Sequence, residues 1–254
     1  MAEPWLNKAR RFRDYAREDL ANNRFDSAAF FAQQSVELLI KGLLIKFSGS
    51  RPITHSTSEL LQYLVKLLGR DAPQDVTRCA ELLEQHYVQA RYPDARINDY
   101  RRWERRRPLG VWTWCGIMYS RWLEALNEIT RQREVRFREV LNELCRESLV
   151  VILFGSRARG DNTPLSDWDL MAVVSSGEYR VETVDVGQVV WLPLDRLDYV
   201  LEHSMIILDA VADGKVLCGD AKVFNDIKDR VIKYIRDKDL ARTKDGWFPR
   251  SIVK

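Results

Sequence analysis

The sequence is short of the residues that hold small folds together or bind metals through nitrogen and sulfur. Its 254 residues include four cysteines, Cys79, Cys115, Cys145 and Cys218, with no CxxC pair among them. That scatter excludes a zinc-ribbon framework and suggests no disulfide framework, so four reduced core cysteines are expected. There are three histidines, His55, His86 and His203, each without an obvious partner in sequence. Isolated histidines of this kind are expected as structural or surface groups rather than as acid-base catalysts. No uncharged apolar run approaches the roughly 18 residues a membrane helix needs, and the stretch MAEPWLNKARR lacks the apolar core of a signal peptide. A cytoplasmic protein with no membrane contact is the resulting expectation. Internal repeats and low-complexity segments are also absent from the sequence.

What is present is enough apolar material, 46% of residues, to fill real cores, and a small net charge of +3 that is unevenly spread. Up to Glu147 there are 25 Lys and Arg against 20 Asp and Glu; beyond it there are 15 against 17. The basic excess is densest in Arg101-Arg102-Trp103-Glu104-Arg105-Arg106-Arg107, which reads either as a phosphate-attracting patch for RNA or as a solvated loop.

The first half has helical periodicity throughout. Leu6, Ala9, Phe12, Ala16 and Leu20 fall on one face of a segment over 4–23, and Ala29, Ala32, Val36, Leu39, Ile40 and Leu43 do so over 27–48. Further helices are predicted from Thr57 to Leu68, capped by Ser56 or Thr57, from Pro73 to about Arg91, and from Val111 to Ile129. A separate helix over Arg131–Arg146 leads into Leu149-Val150-Val151-Ile152-Leu153-Phe154, which is too short and β-branched for a helix. A buried strand there, after so much helix, marks a change of domain. Strands are predicted over Asp167–Val174, Thr183–Leu192 and Val216–Cys218, with helices over Leu194–Val211 and 221–239 and then a tail holding Gly246-Trp247-Phe248-Pro249.

Between the first two strands lies "LVVILFGSRARGDNTPLSDWDLMAVV", residues 149–174. Gly155 stands where the chain must turn, and without a side chain it lets backbone amides approach an anion; Ser156 adds a hydroxyl, and Arg157 or Arg159 supplies countercharge. Asp167 and Asp169 are two apart on a predicted strand, so alternation puts both carboxylates on one face and Trp168 on the other. Paired hard oxygens of this kind suit Mg²⁺ shared with substrate phosphates. The plainer alternative is a surface turn with Asp167 as a cap and Asp169 paired to an arginine.

Gly155-Ser156, ten intervening residues and Asp167-Trp168-Asp169 resemble the signature of the DNA polymerase β nucleotidyltransferase superfamily, particularly its minimal nucleotidyltransferase (MNT) branch. Over about residues 131–240 the resemblance implies an α/β (α+β) domain with a small mixed sheet. Gly155, Ser156, Arg157 and Arg159 would bind nucleotide, and Asp167 and Asp169 would bind Mg²⁺ (or Mn²⁺). The implied reaction transfers a nucleoside monophosphate from an NTP, with ATP expected, to an acceptor the sequence does not disclose. The segments "AAFFAQQSVELLIKGLLIK" (28–46), "HSTSELLQYL" (55–64) and "YVQARYPDA" (87–95) resemble the HEPN helical domains that often accompany such transferases. That resemblance implies an all-α up-and-down bundle over about 1–130 that forms a homodimer or engages an RNA or protein acceptor, in a toxin-antitoxin-like pairing carried on one chain. Residues 241–254 are left as a C-terminal tail. The other function class is a non-catalytic nucleotide-binding or RNA-interacting regulatory module.

The sequence departs from both patterns. The superfamily supplies a third carboxylate from a later strand; aligning Val189-Val190-Trp191-Leu192 with that strand puts Gln188 in its place. Asp185 would enter the site as the third catalytic carboxylate only through a bulge at Gly187, and is otherwise a turn carboxylate. Glu182 lies too far along the strand to substitute. HEPN ribonucleases space an Arg and a His by four to six residues, whereas Arg51 and His55 have three between them and Arg78 and His86 have seven. Tyr87, Arg91, Tyr92 and Asp94 match the family, either as a site or as the end of a helix.

Overall fold

The computed structural model describes residues 2–69, 71–92, 107–243 and 246–252, with side chains at all of these except 107–120. It separates into two compact units, 1–130 and 131–254. The Arg-rich stretch 101–106 and Asp94 lie outside the described residues.

The first unit is helical: α1 (Glu3–Ala21), α2 (Phe25–Ser48), α3 (Thr57–Leu68), α4 (Gln74–Gln89) and the first part of α5 (Arg107–Glu147). The expected periodicity is the buried one, since Leu6, Ala9 and Ala16 on α1 and Ala32, Val36, Leu39, Ile40 and Leu43 on α2 are all buried. Burial of each such leucine contributes about 2 kcal/mol. α3 starts where Ser56 Oγ accepts the Glu59 N–H at 3.1 Å, and α2 ends where Gly49 takes the left-handed conformation at φ 72°. The helices expected separately before and after residue 130 are one continuous helix, because nothing in 129–131 breaks helical propensity.

Among the described residues α2 is long and apolar enough to cross a bilayer by length and composition alone, with Glu37 and Lys41 interrupting its apolar run. However, 72% of its apolar window is buried inside the bundle, as befits a core helix. The same helix carries charge inward. Glu37 Oε1 accepts from Lys41 Nζ at 3.0 Å and from His55 Nδ1 at 2.9 Å, while Oε2 accepts from Gln33 Nε2 and Gln34 Nε2, each at 3.1 Å. Glu37 and Lys41 are nearly fully buried, so this cluster is a paired and hydrogen-bonded charge of the kind an interior tolerates. His55 also stacks on Tyr87, with ring centroids 4.8 Å apart, and Arg91 lies 4.0 Å from the Tyr87 centroid. His86 is buried in α4, and desolvation lowers its pKa to about 4.

The second unit contains β1 (Val150–Phe154), α6 (Gly155–Arg159), β2 (Trp168–Val174), β3 (Arg180–Val184), β4 (Gly187–Pro193), α7 (Leu197–His203), α8 (Ile206–Asp213), β5 (Lys215–Gly219) and α9 (Ala221–Asp237). The five strands form a mixed sheet in the order β3-β4-β2-β1-β5, with β2 and β4 parallel and the other pairs antiparallel. The single strand expected over 183–192 is a hairpin, turned at Asp185-Val186. The helix expected over 194–211 is a 3₁₀ turn followed by α7 and α8, separated at Ser204-Met205.

Alternation sorts the sheet into two cores. Ile152, Phe154, Met171, Val173, Val190 and Leu192 pack toward α7, α8 and α9. Val151, Trp168, Leu170, Ala172, Val189 and Trp191 pack against Val140 and Leu144 of α5.

Two sequence expectations need correction. Residues 240–249 are not a loose tail: β6 (Leu240–Thr243) pairs with β7 (Gly246–Pro249), and Trp247 is buried in the α8–α9 core. Nor are all the cysteines reduced. Cys145 on α5 and Cys218 on β5 form a disulfide, their Cα atoms 6.0 Å apart and 73 residues apart in sequence. Cys79 is free and buried, its thiol pushed up to about 11 by desolvation.

Candidate nucleotide site

β1 delivers the chain to Gly155 at the sheet end, and the antiparallel register sets Phe154 against Asp169. Gly155 has φ +70°, in the left-handed region that side chains disfavour, and a Cβ there would be driven into the Asp169 carboxylate. Glycine is therefore favoured by the turn, and any side chain there would displace the Asp169 carboxylate from its present position. Ser156 follows, half-buried, with no hydrogen bond to its hydroxyl among the described residues.

Asp169 shares the face of Met171 and Val173 and is half-buried. Among the described residues no donor reaches its carboxylate. Desolvation raises its pKa, the nearby negative charge of Asp167 raises it further, and Arg159 opposes both. A carboxylate held this way, partly dried and unpaired, gains most from a cation brought by a ligand.

Asp167 lies one residue before β2, so the pleat does not fix it. It is largely exposed, and its Oδ1 is 2.8 Å from Nη2 of Arg133 on α5. Arg133 also donates to the carbonyl oxygens of Val186, at 3.2 Å, and Asp185, at 3.5 Å. Sequence reasoning missed Arg133 because its partner is 34 residues away and no local pattern marks it.

The two candidate arginines are placed differently. Arg157 donates to the carbonyl oxygens of Pro164 and Ser166, and its guanidinium lies 3.4 Å from the centroid of Trp168, which also stacks on Phe137. Those bonds, made through Nε and Nη2, close the loop between α6 and β2, so most of the Arg157 guanidinium is tied to the loop. Arg159 instead makes ion pairs, with Nη1 2.8 Å from Asp213 Oδ2 and Nε 3.2 Å from Asp161 Oδ2.

The structure sets Gln188 beside Asp169 in the parallel β2–β4 pair, on the same face. Asp185 is the hairpin turn, 77% exposed at its side chain and 3.3 Å from Arg136 Nε. No bulge at Gly187 turns it inward, since Val184 pairs directly with Gly187. Glu182 accepts from Trp191 Nε1 at 3.0 Å on the α5 side of the sheet. A cavity of about 420 Å³ there is lined by Asp185, Glu182 and Trp191 but by neither Asp167 nor Asp169.

Among the described residues no three or more His, Cys, Asp or Glu side chains gather as a metal cluster. The fit to Mg²⁺ is nevertheless good in kind. Asp169 has unpartnered oxygens and Asp167 has Oδ2 outside its ion pair, and Mg²⁺ is commonly held by one or two carboxylates with substrate phosphates and water completing its shell.

Comparison with known proteins agrees with this division. Residues 2–107 match the HEPN domain, and residues 136–243 match the nucleotidyltransferase domain. No curated protein matches the chain. Among solved structures, TT1696 from Thermus thermophilus is 28% identical, covering 49% of this chain and 97% of its own, with a TM-score of 0.43. ST0689, an archaeal HEPN homologue, is 29% identical over 49% of this chain and 95% of its own, with a TM-score of 0.38. The glycine turn with its paired aspartates thus lies within the matched transferase segment, and the protein is a HEPN domain and a nucleotidyltransferase domain joined in one chain.

Proposed function

We propose that the protein transfers a nucleoside monophosphate from an NTP, with ATP as the expected donor, to a hydroxyl or amine acceptor in a Mg²⁺-dependent reaction. The observation that carries this reading is Asp169: a half-buried, unpaired carboxylate set so close to Gly155 that a side chain there would displace it. In this reading the triphosphate lies along Gly155 and Ser156, whose backbone leaves room for it, and Arg159 faces its negative charge. Asp167 and Asp169 would hold Mg²⁺, which when bound supplies positive charge against the phosphate oxygens. The acceptor's lone pair attacks the α-phosphorus in line, the bond to the β-phosphate oxygen breaks, pyrophosphate leaves, and the acceptor's proton passes to a nearby carboxylate or to water. The helical domain is assigned the engagement of the acceptor or of a second copy, supported by its HEPN match.

Gln188 favours a second reading, nucleotide binding without turnover, because an amide cannot accept the acceptor's proton as a carboxylate would. One assay separates the two. Labelled ATP and Mg²⁺ with protein, RNA and small hydroxyl or amine acceptors should release pyrophosphate, and Asp169→Ala should stop it. If the native protein binds ATP but releases none, while Gln188→Asp does release it, the second reading holds. Absence of both binding and release defeats both readings.

A further inference from the structure

Asp213 is the last residue of α8, where a helix's dipole disfavours negative charge, and its side chain is only 10% exposed. A carboxylate so placed must be neutralised by its surroundings, and two arginines do so. Arg242, on β6 of the C-terminal ribbon, sets Nη1 2.7 Å from Asp213 Oδ1 and Nη2 2.8 Å from Oδ2, a two-pronged contact. Arg159, from the glycine turn, takes Oδ2 at 2.8 Å. Together they depress the Asp213 pKa to about 2.

The arrangement is rigid at both ends. Gly214 follows Asp213 so closely against the Ala210 carbonyl and Ile152 that a side chain would not fit. Arg242 is held in turn, with Nη2 2.9 Å from Asp209 Oδ1, and the same oxygen accepts from Nε1 of buried Trp247 at 3.0 Å. A chain of contacts therefore runs from Trp247 through Arg242 and Asp213 to Arg159. Arg159 ends it with Nε and Nη1 engaged, while Nη2 makes no hydrogen bond among the described residues. It is also the positive charge that Asp169 feels.

Resting on the nucleotide reading of the site, we propose that Arg242 and Asp213 are positioning residues: through Asp213, Arg242 fixes Arg159 with one guanidinium nitrogen free for the phosphate tail of a nucleotide. Without Arg242, Asp213 would bear on Arg159 alone, and Arg159 would be the one arginine left to Asp161 and Asp213. The ribbon that reads as a tail in sequence is on this account a working part of the transferase domain.

The test is equilibrium binding of fluorescently labelled ATP with Mg²⁺ to the full chain. Arg242→Ala should weaken binding about tenfold, the size of one misplaced charge-assisted contact. Arg242→Lys should recover part of that loss. In an Arg159→Ala background, Arg242→Ala should have little further effect, because both act through one guanidinium. If Arg242→Ala does not fold, Arg242→Gln and Asp213→Asn carry the same expectation. Native-strength binding by the folded Arg242 variant, or independent losses in the double variant, would overturn the proposal. Failure of the native protein itself to bind would instead overturn the site reading beneath it.

Discussion

In the helical unit, Glu37 is 3% exposed and is met by Lys41, His55, Gln33 and Gln34. In the transferase unit, Asp169 is half-buried and, among the described residues, is met by no donor at all. Each carboxylate has been partly or wholly removed from water, which costs free energy unless partners replace it. The bundle replaces water completely and gains a fixed internal geometry. The transferase unit leaves the replacement unfinished at the end of its sheet, beside a left-handed turn that favours glycine. The contrast separates a charge whose partners lie inside the fold from one left open, the pattern the proposed nucleotide site requires.

The comparison can be tested by damaging each side. Glu37→Ala should have the largest effect, destabilising the protein by about 3 to 5 kcal/mol, because Lys41 would remain buried without its counter-charge. Denaturant unfolding measures this, and a loss below about 1 kcal/mol would mean the cluster is no more than a solvated pair. Gly155→Ala comes next, with about 2 to 3 kcal/mol lost to the left-handed backbone and the collision with Asp169, and with loss of nucleotide binding. Unchanged unfolding and binding would remove the argument that the turn is built around that carboxylate.

The two units should also differ in acid. His86 titrates at about 4 in the folded protein, below its ordinary 6.5, so the unfolded chain binds the proton more readily. Its contribution is fully present above pH 6.5 and is lost as pH falls toward 4, to the extent of about 3 kcal/mol, and His86→Gln should flatten that slope. Asp213, depressed to about 2, acts lower: its contribution is intact above its ordinary 3.8 and disappears as pH falls toward 2. Thermal melts across this range distinguish the two, since Asp213→Asn should leave the slope between pH 6.5 and 4 unchanged.

The smallest effect is the most telling. The Asp169 pKa is raised, so its neutral form is favoured by folding and stability declines as pH rises through that pKa. Asp169→Asn should therefore raise Tm at neutral pH, by about 2 °C, even as it removes activity. A clear drop in Tm would show that the native carboxylate has a stabilising partner.

Local patterns were legible and distant partnerships were not. Helix periodicity found α1 to α4 because each buries one face, and alternation found β1 and β2 because both lie inside the sheet. Gly155, Ser156 and Asp169 stand out as candidates in the sequence because they cluster within a short span whose spacing has a chemical reason. Arg133, Asp213 and Arg242 could not, since their meaning comes from partners brought together only by the fold. The Cys145–Cys218 bond was hidden for the same reason. Arg157 and Asp185 show the converse: each has the right chemistry for the site, but loop closure claims the first and a tight turn the second.

The most direct test is titration of Mn²⁺ into the protein with and without ATP, followed by electron paramagnetic resonance. The account predicts one ATP-dependent Mn²⁺ site per chain, lost in Asp169→Asn and weakened in Asp167→Asn. A site that persists at full strength in Asp169→Asn, or no nucleotide-dependent site in the native protein, would contradict it.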